Sequence, residues 1–151
     1  YALKQDIDAV ITLDGDGQHD SADIKHFLNR YEAAHAQVIN GNRMHDPKGM
    51  PLIRLITNKF MSWIISSICQ QRIIDSQCGF RFMTKDVLKQ VKLECTDFEI
   101  ETELLIQANK KGFRIDNAPI TTIYRDEKSK IRPLRDTWRF IVYLFKESTR
   151  R

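Results

Sequence analysis

Apolar residues recur along the chain in two rhythms, one short and continuous, the other helical. Asp8 to Leu13 is a brief β-branched apolar run and reads as a buried strand. Beyond it, Ile24, Phe27, Leu28 and Tyr31 stand at helical spacing, which predicts a helix from Ala22 to about His35 with Asp20 or Ser21 as its cap. Val38-Ile39 predicts a second short strand, followed by a turn at Asn40-Gly41-Asn42, and Asp46 to Gly49 is a loop. A long helix fits Leu52 to Ile68, with Ile53, Ile56, Phe60, Trp63, Ile64 and Ile68 as its apolar set, and that set is expected in the core. Gly79 to Met83 suggests a strand, Val87-Leu88 part of a short helix, and Glu99 to Lys111 a helix stopped by Gly112. Phe113 to Ile115 and Ile120 to Tyr124 read as strands around Pro119, and Pro133 to Lys146 as a final amphipathic helix.

Strands alternating with helices predict the α/β class: a mostly parallel sheet flanked by helices. The 151 residues are enough for one domain, taken as 1–151, and 42% hydrophobic with 29% charged residues marks a globular chain. The net charge of +4 is too mild to demand nucleic acid, and no nucleic-acid partner is expected. The charge is uneven. Residues 125–151 hold nine basic and four acidic side chains, so the C-terminal amphipathic segment 133–151 is basic and suits an anionic partner such as a phosphate or a membrane surface. Cys69, Cys78 and Cys95 lie far apart without metal spacing and read as reduced core thiols of a cytosolic protein. No secretory signal pattern appears, and the longest apolar stretch, Phe60 to Cys69, is far shorter than the roughly 20 residues of a spanning helix. Tyr1 to Lys4 resembles the end of a helix, so an N-terminal part is expected to be missing.

The candidate chemistry sits in Asp14-Gly15-Asp16-Gly17-Gln18-His19. Asp14 and Asp16, two residues apart after a buried strand, turn their carboxylates to one side, and ligands of open α/β sheets bind outside the carboxyl ends of strands. Paired carboxylates repel unless a cation joins them, and hard oxygen donors suit Mg²⁺ or Mn²⁺. Gly15 and Gly17 permit a tight turn and Gln18 adds a neutral oxygen, while His19 reads as a hydrogen-bonding loop residue. An EF-hand is excluded because its sixth and twelfth positions hold His19 and Lys25. A haloacid-dehalogenase-type Mg²⁺ phosphatase shares the strand and the D-x-D-G, but no acidic pair follows at a later strand end.

Taken in order, Leu13 to His19, Gly41-Asn-Arg43, Asn58-Lys-Phe60, Asp75 to Arg81, Phe98 to Leu105, and Pro119 to Arg125 with Ser129-Lys130 resemble a family 2 glycosyltransferase of the GT-A (Rossmann-like) fold, in the branch of dolichyl-phosphate mannose synthase and related polyprenyl-phosphate glycosyltransferases. The resemblance spans nearly the whole chain but not the family's N-terminal nucleotide-base pocket. It implies that Asp14, Asp16 and Gln18 hold the metal and the sugar-nucleotide diphosphate, and that Arg43 and Arg54 bind an acceptor phosphate. Asp75 and the Gly79-Phe80-Arg81 turn would shape the sugar side, though Arg81 could instead pair with Asp75. Glu103 matches the family's acidic helix residue, and Arg125, Ser129 and Lys130 would close over the diphosphate. The implied reaction is an inverting transfer of sugar to a polyprenyl phosphate or similar acceptor, with Asp16, Glu103 and Asp75 as candidates for catalysis, at the cytoplasmic face of a membrane. A phosphatase and an inactive transferase fragment remain alternatives.

Overall fold

The computed structural model describes residues 1–95, 99–123 and 140–144. Four strands, β1 (Ala9–Thr12), β2 (Val38–Asn42), β3 (Arg81–Thr84) and β4 (Ile115–Pro119), join in the order β1-β3-β2-β4. Between them run α1 (Ile24–Ala34), α2 (Leu52–Cys69), α3 (Lys85–Gln90) and α4 (Glu99–Lys110). The α/β class expected from the sequence is therefore present.

The sheet is mixed, however, and not mostly parallel. β3 runs antiparallel to both β1 and β2, and only β2 and β4 are parallel. The cause lies in the segment before β3. Asp75 is fastened to Arg43, the residue after β2. The chain leaving α2 is thus drawn back to the carboxyl end of β2 and must enter β3 from that end. The expected pair of strands around Pro119 is likewise one strand, β4, with Pro119 as its last residue.

Alternation along the strands divides the core in two. Val38 and Met83 face a cluster with Met61 and Ile65 of α2 and Leu105 and Ile106 of α4. Their neighbours Ile39 and Phe82 face Phe27 of α1, Phe80 and Ala118. Asp20 accepts a hydrogen bond from the amide of Ala22 at 2.8 Å and so starts a 3₁₀ turn, Ser21–Asp23, that leads into α1. α1 ends on His35 in the left-handed region (φ 49°), and Gly112 (φ 79°) stops the chain after α4 as expected. Cys69 and Cys78 are buried, Cys95 is half-buried, and all three are free thiols; burial pushes Cys69 up to about 11 and Cys78 up to about 12.

The expected core role of α2's larger apolar residues does not hold. Ile53, Ile56, Phe60, Trp63 and Ile68 are exposed, and α2 turns Asn58, Met61, Ser62, Ile65 and Cys69 inward instead. Hydrogen bonds from Asn58 to Asp75 (2.7 Å) and from Ser62 to Ser76 (3.1 Å) select that face, because those polar groups would be costly to bury unpaired. Residues 140–144 are helical, and Phe140 and Tyr143 join the first cluster, so this turn of the expected C-terminal helix packs on the core. The rest of 133–151 lies outside the described residues. Among the described residues no helix is long and apolar enough to cross a membrane.

Gly41 is enclosed: a Cβ there would lie 2.8 Å from the Phe80 carbonyl oxygen and 2.9 Å from the Cys78 sulfur. Gly41→Ala is expected to cost about 1–3 kcal/mol in urea unfolding. Gly15→Ala, which meets nothing within 4 Å, is expected to stay within roughly 1 kcal/mol of the parent. Equal costs at the two positions would contradict the packing described.

Candidate functional site

The acidic loop leaves β1 at Thr12 and is held on two sides. On one side Thr12 Oγ1 donates to the Gly79 carbonyl at 2.9 Å. On the other, His19 bridges to Thr122 and the Ile123 amide donates to the Gln18 carbonyl at 2.9 Å. Within the loop the Gln18 amide donates to Asp16 Oδ1 at 3.0 Å, and Gly17 takes φ 71°, a conformation glycine adopts without strain. Nearby, the buried carboxylate of Asp23 accepts from the Thr121 amide at 2.6 Å, tying the start of α1 to the same segment.

Asp14 is the best-defined group. Its side chain lies against Gly79, where any Cβ would collide with Oδ1 and come within 2.8 Å of Cγ. Gly79 is therefore needed so that Asp14 can occupy its place. Asp14 Oδ2 lies 3.2 Å from Nε2 of the buried His19 ring, which rests against Phe80 with ring centroids 5.2 Å apart. The His19 hydrogen bond, with the positive fields of Arg43 and Arg81, holds Asp14 below the usual carboxylate range against a partial burial penalty. Asp16 is exposed.

Below the loop lies a buried polar network. Arg43 grips Asp75 through Nε (2.7 Å) and Nη2 (2.8 Å), and Asn58 donates to the same carboxylate at 2.7 Å. Burial raises the Asp75 pKa, but Arg43 and Asn58 outweigh it and the net shift is downward. Arg81 does not take Asp75 as its partner. Its guanidinium donates to Asn40 Oδ1 (2.7 Å), the Glu101 carbonyl (2.7 Å) and the Ser76 carbonyl (2.9 Å), and Asn40 in turn donates to the Asp75 carbonyl. Desolvation lowers the Arg81 pKa, offset in part by the field of Glu101.

Of the residues singled out in the sequence, Asp14, Asp16, Gln18, Gly79, Phe80 and Arg81 meet at this corner, over Arg43 and Asp75. Arg54 is half-buried on α2. Arg125, Ser129 and Lys130 lie outside the described residues, as does Phe98. Glu103 is separated from the corner: its buried carboxylate accepts the amides of Glu94 and Cys95 at 2.8–3.0 Å. Glu101, and not Glu103, faces the side of α4 nearest Asp14. With Asp14 and Arg81 it lines a cleft of about 490 Å³ whose apolar wall includes Met83, Leu88 and Leu104. Burial raises its pKa despite Arg81, and its Oε2 is buried without a hydrogen-bond partner. Glu101 points to the opposite side of α4 from Glu99 and Glu103, which stand one turn apart, and only the helix's rotation on the sheet, invisible in the sequence, chooses which side faces the cleft.

Among the described residues no three His, Cys, Asp or Glu side chains cluster closely enough to hold a metal ion. A divalent cation held by Asp14 and Asp16 would need ligand oxygens and water to complete its shell.

No family profile matches the chain. It is similar to the UDP-N-acetylglucosamine–dolichyl-phosphate N-acetylglucosaminyltransferase of Methanococcus voltae, 33% identical over 131 residues covering 83% of this chain and 51% of that protein. It is 34% identical to an uncharacterized protein of Methanocaldococcus jannaschii over 78% of this chain and 53% of the other. With glycosyltransferase AglJ of Haloferax volcanii it shares 28% identity over 84% of this chain and 43% of that one. The chain spans about half the length of the curated relatives it matches, and the named ones among them support a glycosyltransferase relationship.

The Glu101 environment has a measurable sign. A carboxyl whose folded pKa is raised stabilises the fold below its ordinary value, and loses that stability as pH rises through the raised one. Glu101→Gln is therefore expected to melt at a higher temperature than the parent at about pH 8 and at the same temperature near pH 4. Identical melting at both pH values would contradict the assignment.

Proposed function

We propose that this chain carries the diphosphate side of the active site of an inverting, metal-dependent, family 2 glycosyltransferase of GT-A type, which passes a sugar from a nucleotide-diphosphate sugar to a polyprenyl phosphate. The observation that carries this reading is the seating of Asp14 at the strand end, locked by Gly79 and His19 and followed by the exposed Asp16, in a chain similar over most of its length to a dolichyl-phosphate sugar transferase. Asp14 and Asp16, with Gln18 beside them, would hold Mg²⁺ or Mn²⁺. A bound divalent cation offsets negative charge on a departing diphosphate.

The chain's own residues set the rest. The His19 hydrogen bond, helped by the fields of Arg43 and Arg81, keeps Asp14 ionised, and those fields favour anionic ligands at this corner. Because Asp75 and Asn40 fix both guanidiniums, that field is preorganised and costs no rearrangement as charge develops. The cleft beside Asp14 has Glu101 at its polar end. An acceptor phosphate is already anionic and needs only to be placed, which Arg54 is suited to do, while Arg125, Ser129 and Lys130 would close over the diphosphate. A hydroxyl acceptor would need a base, and Glu101, with its raised pKa and idle buried oxygen, suits that role better than Glu103.

Asp16→Asn in the full-length protein is expected to lower sugar transfer to polyprenyl phosphate about 100-fold or more without lowering the melting temperature, since Asp16 is exposed. Gly79→Ala, which displaces Asp14, is expected to do the same to transfer. Near-parental transfer by Asp16→Asn would sink the reading.

A further inference from the structure

Glu103 is the buried acid that the candidate site does not use. It is 2% exposed, and its carboxylate is occupied by the chain itself: the Glu94 amide donates to both oxygens at 3.0 Å, and the Cys95 amide donates to Oε2 at 2.8 Å. A buried carboxylate is costly without such partners, and amides that donate to one are held more firmly than by a neutral carbonyl. An apolar side chain would fill the same space without that cost. The effect of the carboxylate therefore lies in what it fastens.

What it fastens is one wall of the cleft. Residues 91–95 follow α3 without regular structure, and Lys92, Leu93 and Glu94 are exposed. Surface segments of this kind open at a lower free-energy cost than the core does. Yet Val91 and Leu93 line the same cleft as Asp14 and Glu101. Glu103 stands two residues from Glu101 on α4 and is not part of that lining. One helix thus carries the polar end of the cleft on one side and the fastening of its outer wall on the other.

We propose that Glu103 is a positioning residue: by latching residues 91–95 to α4, it keeps the wall of the cleft closed beside Glu101. The importance of that wall rests on the transferase reading, in which Glu101 faces the substrate; the latch itself does not. Burial is the largest influence on the Glu101 carboxyl and raises its pKa. Among the described residues Arg81 on β3 opposes that rise, while Asp14 after β1 and Glu99 on α4 add to it. Val91 and Leu93 share the cleft with Glu101 and supply part of its burial. Loosening them returns water to Glu101 and shrinks the upward shift, while Arg81, Asp14 and Glu99 keep their charges.

The test uses the full-length protein and two measurements made without substrate. Glu103→Gln puts an amide nitrogen where one oxygen accepts. Alkylation by iodoacetamide, read thiol by thiol by mass spectrometry, is expected to reach Cys95 about tenfold faster in this variant than in the parent. The buried Cys69 and Cys78 should stay unmodified in both. In thermal melts, the gain that Glu101→Gln brings at about pH 8 is expected to fall to less than about half in the Glu103→Gln background, with no gain near pH 4 in either. A purely structural role would lower both members of that pair together and leave their difference unchanged. If Cys69 and Cys78 become reactive, the variant is unfolded, and Glu103→Asp, which keeps the carboxylate but shortens its reach, replaces it under the same expectations. Unchanged labelling of Cys95 in a folded variant overturns the latch, and an undiminished gain at the higher pH overturns its hold on Glu101. No nucleotide sugar enters either measurement, so failure of transfer and failure of the latch are read separately.

Discussion

The buried pair of Arg43 and Asp75 is the constraint on which the rest of the site depends. An ion pair this deep is not strong evidence of stability, because each charge loses its water. What it supplies is position. Asp75 follows α2 and Arg43 follows β2, so their contact carries the chain back to the carboxyl end of the sheet. Three consequences follow from that return. β3 is forced antiparallel, Gly79 arrives beside Asp14, and Asn58 fixes which side of α2 faces inward. Removing either partner would leave a charge buried alone, at a cost of about 3–5 kcal/mol.

On this framework the two arginines act through their fields and not by direct contact with Asp14. Each guanidinium is spent on fixed partners, Arg43 on Asp75 and Arg81 on Asn40, Ser76 and Glu101. The corner is therefore positive from below and carboxylate-bearing above. That arrangement suits an anionic ligand bridged by a cation better than either alone. The loop itself is braced by Gly79 on one side and by Thr122 and Ile123 on the other.

Local features were legible in the sequence, and long-range ones were not. Asp8 to Leu13, the α1 spacing and the Gly112 stop each depend on near neighbours, and each appears within a residue or two of its expected place. The place of the acidic loop, at the end of a β-branched strand, was legible for the same reason. The direction of β3 was misread because the contact that sets it joins residues 32 apart. Arg43 and Asp75 were each marked as site residues, but nothing in the spacing said that they bind each other. Glu103 was chosen by its match to the family's acidic helix residue; that Glu101 lines the cleft depends on the rotation of α4, which a pattern of acids does not state. The α2 stripe was assigned to the core because it holds the larger apolar side chains; two modest polar residues, Asn58 and Ser62, decided the matter through partners on another loop.

The account stands or falls on the Asp14–Asp16 loop as a place where a divalent cation and a diphosphate bind together. The most direct measurement is Mn²⁺ relaxation enhancement of solvent protons in the presence of the full-length protein, with and without UDP, for the parent and for Asp14→Asn/Asp16→Asn. The account predicts weak binding of Mn²⁺ alone, tighter binding by about tenfold or more when UDP is present, and loss of that synergy in the double variant. Equal synergy in the parent and the double variant would contradict it.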